Sequence, residues 1–197
     1  MTLIAMPARP IPATVTWAHD QPSQSNRSEF TGKRRTVILP QAPRWEAKVT
    51  LPVIQGEAAF RPWRAFLAQL RGTANSFRLS ATEEDQISGV AVTVAAGGQA
   101  GSSLITIGWG PPGLKLVSGC LVTVGDQLLE LVDDVVANSS GNAVLSFAVP
   151  MRSSPAAGAP IEVRRPYGVM SLKDSKPGWT VSPGQLYQVE LDCEEAF

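Results

Sequence analysis

Apolar and polar residues alternate strictly from Arg44 to Leu51. Trp45, Ala47, Val49 and Leu51 share one face, and Arg44, Glu46, Lys48 and Thr50 share the other. A period of two predicts a strand with one wet side, and Pro52 discourages further pairing. The pattern returns near the end of the chain. Tyr187, Val189, Leu191 and Cys193 face one way, and Gln188, Glu190, Asp192 and Glu194 the other. The acidic wet side of this last strand complements Arg44 and Lys48. The two strands are therefore expected to be neighbours, each cross-strand pair contributing from a few tenths to about 1 kcal/mol.

Residues 57–71 change period. Phe60, Trp63, Leu67 and Leu70 recur near every 3.6 residues, with Ala59 and Phe66 flanking the stripe. This predicts an amphipathic helix. Pro62 either occupies the first turn of a helix starting near Arg61 or kinks a longer one. Gly72 stands where a left-handed cap ends the helix, and Arg71 suits its negative end. Phe77–Leu79 reads as the next strand. One helix laid on a sheet makes an α+β layer.

The ends of this block read as β and loop. A strand is expected near 14–19, then a polar loop through 20–32, then a short β run at 36–39 stopped by Pro40. From about Ser88 the style shifts. The runs 104–107, 120–124, 128–132, 143–149 and 161–163 are separated by Gly125-Asp126, Asn138–Gly141 and Ser153–Pro160. Strands this frequent, with no helical period, suggest a small barrel or sandwich. The Gly/Ala-rich stretch 95–103 lacks a phosphate-loop Lys and dinucleotide glycine spacing, and reads as a flexible hairpin or inter-domain joint.

The expected architecture is thus mainly β, a β-rich α+β fold. A β-sandwich or split-barrel domain with one packed helix spans 1–87 and 171–197. A small inserted β-barrel or sandwich domain spans 88–170, its two ends close together.

Composition narrows the chemistry. The chain has 197 residues, 44% apolar and 17% charged, which argues against disorder. Seventeen basic residues balance seventeen acidic ones, so no net field draws it to nucleic acid or an anionic membrane. No segment approaches the ~20 apolar residues of a membrane helix. The start Met1-Thr-Leu-Ile-Ala-Met-Pro7 lacks a basic, then apolar, leader, so export by the general pathway is not expected. Cys120 and Cys193 read as two inert thiols of a protein made in a reducing cytosol, with a bridge as the alternative.

Catalytic side chains are sparse. His19 is the single histidine, so no His-based metal cluster or catalytic triad is expected around it; it reads as a strand-end residue. The carboxylate groups Glu83-Glu84-Asp85, Asp133-Asp134 and Glu194-Glu195 read as solvated turns. No cofactor, metal site or enzymatic activity is expected. Lys33, Arg34 and Arg35 form the sole basic cluster. They read as a solvated strand start or, more sharply, as a contact with an acidic neighbouring subunit. Trp45 and Trp63 fall on core faces. Trp109, in Gly108-Trp-Gly-Pro-Pro-Gly113, has two readings: core packing, or an exposed aromatic on a rigid loop that anchors a partner or stacks on a sugar.

Two groups of residues carry a family resemblance. One is Arg44-Trp45, Leu51-Pro52, the helix end Ala65-Phe-Leu-Ala-Gln-Leu-Arg-Gly72, and Phe77-Arg-Leu79. The other is Gly119–Asp126, Asp134 through Val144, Pro150-Met-Arg152 and 158–163. Together they resemble the distal tail proteins of long-tailed bacteriophages and related prophages or gene transfer agents. The resemblance implies a ring, usually of six copies, at the tail tip of a virion and made in the host cytoplasm. Its implied partners are the tail tube protein, the tail hub protein and a tail fibre or receptor-binding protein. No sequence-specific nucleic-acid binding and no membrane insertion follow from it. A carbohydrate-binding module for host attachment and a tail-borne cell-wall hydrolase are the alternatives.

Overall fold

A computed structural model describes residues 1–38 and 43–196. The protein is mainly β with a single helix among the described residues, as the alternating stretches imply. The first strands are β1 (Leu3–Ile4), β2 (Thr14–Asp20), β3 (Ser23–Arg27), β4 (Arg34–Ile38), β5 (Arg44–Thr50) and β6 (Ile54–Gln55). Helix α1 (Glu57–Leu70) precedes β7 (Ser76–Ser80), β8 (Thr93–Val94), β9 (Gly101–Ile107), β10 (Gly113–Leu116), β11 (Leu121–Val124) and β12 (Gln127–Glu130). Then follow β13 (Val135–Ala137), β14 (Asn142–Met151), β15 (Ile161–Glu162), β16 (Tyr167–Leu172), β17 (Trp179–Ser182) and β18 (Leu186–Glu195).

The chain divides into two compact units. The first comprises Met1–Asp20, Arg44–Leu79 and Val169–Phe197, and the second Gln21–Pro43 and Ser80–Gly168. Residues 21–43 and 80–87, assigned from the sequence to the first domain, group with the second unit.

In the first unit the main sheet has the order β1-β7-β16-β18-β5-β2, with β17 and β6 also pairing to β18. The two strictly alternating segments are neighbours, antiparallel, with Lys48 opposite Asp192 and Val49 opposite Leu191. Their charged sides meet as expected: Lys48 Nζ lies 3.2 Å from Glu190 Oε2, and Arg44 Nη1 lies 3.2 Å from Glu194 Oε2. Trp45, Ala47, Val49 and Leu51 are buried, as are Tyr187, Val189, Leu191 and Cys193. The last strand therefore serves as the spine of the first sheet.

Helix α1 supplies the other half of that core. Phe60, Trp63, Phe66, Leu67 and Leu70 are buried in one cluster with Val49, Phe77, Met170 and Leu191. Ala59 does not join the stripe; it is exposed. The helix starts at Glu57 and holds Pro62 inside it, so of the two alternatives the longer helix is found and the start near Arg61 is not. No side chain of Gly56 caps the start. Gln185 does that work from β18's turn: its carbonyl accepts from Gly56 N–H at 3.0 Å, and its side-chain oxygen from Glu57 N–H at 3.4 Å.

At the other end the left-handed cap begins one residue early, at Arg71 (φ 51°), and continues through Gly72 (φ 66°). Gly72 is required twice over. Its φ disfavours a side chain, and an added Cβ would lie 2.9 Å from the Ser175 backbone. Asn75 completes the end: its side-chain amide donates to Gln69 O at 2.8 Å, and its side-chain oxygen accepts from Thr2 N–H at 3.1 Å.

The second unit is a set of short open sheets: β14-β9-β8, β12-β11-β15, β10-β13 and β3-β4. The β-rich expectation holds, but no closed barrel forms among the described residues. Most of its strands have only two to five residues, and irregularities interrupt the β10–β13 and β14–β9 ladders. Val94, Leu104, Val122, Leu129, Leu145 and Trp109 lie in its core. The Gly/Ala-rich stretch forms the β8–β9 connection, where the Gln99 side chain bonds both the N–H and the C=O of Ile105. The chain leaves the main sheet on β7 and returns on the adjacent β16. Ala81 N–H donates to Pro166 O at 2.8 Å, so the two ends of the excursion lie side by side.

Strand β3 (Ser23–Arg27) corrects the reading of a polar loop through 20–32, whereas the β run expected at 36–39 is present in β4 as far as Ile38. The two strands form a β-hairpin, with Ser25 opposite Thr36 and Arg27 opposite Arg34. Strand β3 lacks an apolar face, which is why alternation gave no signal there. Leu39 and the strand stop at Pro40 lie outside the described residues.

Candidate functional site

The four residues singled out for interaction have opposite fates. Trp109 is fully buried: of its two readings, core packing holds and the exposed aromatic anchor does not. The chain can enclose it because Gly108 (φ 94°) passes the Ala91 carbonyl so closely that a Cβ would lie 2.1 Å from its oxygen. The indole N–H donates to Thr106 Oγ1 at 2.7 Å, and that hydroxyl donates to Ala143 O at 2.9 Å. Trp109 N–H itself bonds Gly141 O. The Gly-Pro-rich surroundings looked like a loop tip, but they wrap a core residue.

Lys33, Arg34 and Arg35 are all exposed, at the tip and on the second strand of the β3–β4 hairpin. Arg34 Nε donates to Ser25 Oγ across the hairpin at 2.5 Å. The connecting turn is ordered by its own bonds. Ser28 N–H donates to Lys33 O and Gly32 N–H to Ser28 O, both at 2.9 Å, and Arg27 Nε donates to Gly32 O at 3.2 Å. At its apex Phe30 is 100% exposed. Sequence reasoning missed Phe30, because a lone aromatic in a polar run has no period to betray it.

The carboxylate groups are mostly engaged. Asp85 accepts from both Arg164 and Arg165, and those hydrogen bonds hold its carboxyl below the usual range. Glu46 pairs with Lys173. Glu194 and Glu195 do not form a solvated turn. They end β18, where Glu195 is buried and accepts from the Trp45 N–H at 3.2 Å. Asp133 and Asp134 do lie exposed in a turn, and Asp134 accepts from Ser118 N–H at 2.8 Å. Among the described residues no group of three or more His, Cys, Asp or Glu side chains is placed to hold a metal. His19 stacks on Trp45 with ring centroids 4.5 Å apart, which gives it a packing role on β2.

An open groove of about 550 Å³ runs over the wet side of β2, β5 and β18, lined by Thr16, Glu46, Lys48, Lys173, Asp174 and Asp192 among others. It mixes both charge signs, so it offers no single charge to a substrate.

A second exposed cluster, also unforeseen, flanks α1. Trp179 is the most exposed tryptophan at 40%. The Arg64 guanidinium lies 5.6 Å from its ring centre and 5.4 Å from that of Phe60, and Phe60 stacks on Tyr187 at 4.3 Å. Glu57 binds Arg64 through both oxygens, at 2.7 and 3.0 Å. One face of Trp179 is therefore committed to the protein. Neither thiol of Cys120 and Cys193 is bridged; Cys120 is half-buried, and burial pushes the Cys193 thiol up to about 12. No protein-family model matches the chain, and no curated protein matches it.

Proposed function

We propose that the protein is a structural component of a phage-type tail tip, a distal tail protein that forms a ring between the tail tube and the tail hub. One observation carries this reading. Arg44-Trp45, Leu51-Pro52, the helix end through Gly72, and Phe77–Leu79 form one strand–helix–strand block around a shared core. These are the residues through which the chain resembles that family. A β-rich unit with one helix and an inserted β unit suits such a part, and its side chains are spent on packing and ion pairs rather than on a catalytic cluster.

Ring assembly would use the open border of the sheet. Among the described residues, strand β2 has a strand partner on one side only. Its sequence, Thr14-Val-Thr-Trp-Ala-His-Asp20, carries no Lys, Arg, Glu or Pro to discourage an added strand. Heterologous contacts of that sort generate closed rings when the rotation closes. Its partners in this role are further copies of itself, the tube protein, the hub protein and a fibre or receptor-binding protein. The carbohydrate-binding alternative relied on Trp109, whose ring is enclosed.

Gold-labelled antibody against the chain, applied to tails from the producing strain, tests the reading. Label at the far end of the tail supports it. Intact tails without label, whose protein content lacks this chain, overturn it.

A further inference from the structure

The β3–β4 hairpin has no core of its own. Every residue from Ser23 to Val37 is exposed, and among the described residues the two strands pair only with each other. An isolated two-stranded hairpin is marginally stable in water. This one nevertheless has an ordered turn, a fully exposed Phe30 at its apex, and four basic side chains (Arg27, Lys33, Arg34, Arg35) against one acid, Glu29. In a chain of zero net charge that concentration is local, not general.

The same chain displays a surface of matching chemistry. Val117 and Val132 are about half exposed, at 51% and 49%. Their loops are tied together by the Ser118–Asp134 bond and by Gly119 N–H donating to Leu131 O at 2.8 Å. Asp133 and Asp134 border the pair, both exposed. Two valines edged by two carboxylates are the complement of a phenylalanine edged by four bases.

We propose that the 23–38 hairpin is a docking arm for a second copy of this chain, seating Phe30 on Val117 and Val132 and its basic residues on Asp133 and Asp134. The contact is heterologous, because arm and patch are different surfaces of each copy, so it propagates from subunit to subunit. This deepens the ring reading and rests on it. Phe30 supplies the desolvated anchor, and the charges set register and reject like-charged partners. A basic ribbon alone would also suit nucleic acid, but an apolar apex without flanking aromatics favours a protein pocket.

Two charge variants of the full chain test it by sedimentation across a concentration series. K33E/R35E inverts the arm. D133K/D134N inverts the patch while keeping an oxygen at 134 for the Ser118 N–H. Each variant alone should associate at least about tenfold more weakly than wild type, because like charges then face each other. Mixing the two should restore association, since each altered arm then meets an altered patch and each native arm a native patch. F30A should also dissociate, with little dependence on salt. Unchanged melting temperatures would show that the variants fold. Wild-type association that both variants retain would overturn the arm and leave the ring reading standing. A wild type monomeric throughout would overturn the arm too, while tail labelling decides the ring reading separately. A monomeric protein that shifts a DNA duplex, with the shift lost in K33E/R35E, would reassign the arm to nucleic acid.

Discussion

Tyr187 on β18 donates its hydroxyl to Glu57 Oε2 at 2.5 Å, joining the last strand to the first residue of the helix across 130 positions of sequence. This bond, then the bonds from Arg64, lower the Glu57 pKa below its ordinary 4.5, and the bond to Glu57 raises the Tyr187 phenol above its ordinary 10.0.

The signs follow from linkage. A carboxyl lowered in the folded state stabilises above its unfolded pKa, and that contribution is lost as pH falls through the folded value. A phenol raised in the folded state stabilises below its unfolded pKa, and loses it as pH rises through the folded value. Melting temperatures of Glu57→Gln should therefore fall less steeply than wild type toward acid and toward alkali. Ultraviolet titration should show one tyrosine ionising late in wild type and closer to its ordinary value in the variant. Parallel melting curves at both extremes would refute the coupling.

Trp63 is completely buried beneath α1, and its indole donates to Arg9 O at 3.1 Å. Trp63→Ala should cost about 3–5 kcal/mol in urea unfolding. Trp63→Phe should cost less, since the ring volume is largely kept and only the bond to Arg9 is lost. Equal losses in the two variants would show that packing is not the main contribution.

Gly72→Ala should destabilise by about 1 kcal/mol or more, because both the left-handed backbone and the Ser175 backbone oppose a methyl group. Gly56→Ala is the informative comparison: its φ is also positive, at 87°, but no atom lies within 4 Å of the added carbon. Any loss at Gly56 in thermal melts is then backbone strain without collision, since its φ of 87° and ψ of 141° suit glycine; no loss there would show that strain of this kind is relieved locally.

Cys193 should resist thiol reagents at neutral pH until the protein unfolds, since burial disfavours its thiolate. Mass spectrometry after a brief alkylation should find Cys193 unmodified in native protein and modified in urea. Rapid native labelling there would show that β18 opens far more readily than a central strand should.

Legibility in the sequence tracked burial. Segments with one buried face declared themselves: β5 and β18 by alternation, α1 by its 3.6-residue stripe, and even the ion pairs between β5 and β18 by their opposed charges. What stayed hidden obeyed other rules. Strand β3 buries nothing, so no period marks it, although its partner β4 was legible as a β run at 36–39. Strands of two residues such as β1, β6 and β8 are too short to show one. Trp109 had two readings in the sequence because glycines and prolines, usual at exposed turns, here allow a close backbone approach around an interior ring. The patch at Val117, Val132, Asp133 and Asp134 comes from two loops that only folding brings together.

The adjacency of β7 and β16 has a consequence for how this protein can vary. A short turn from Ser80 to Tyr167 would keep the strand order of that sheet, but residues 21–38 group with the excursion, so replacing it would also strip the β3–β4 hairpin of its own unit.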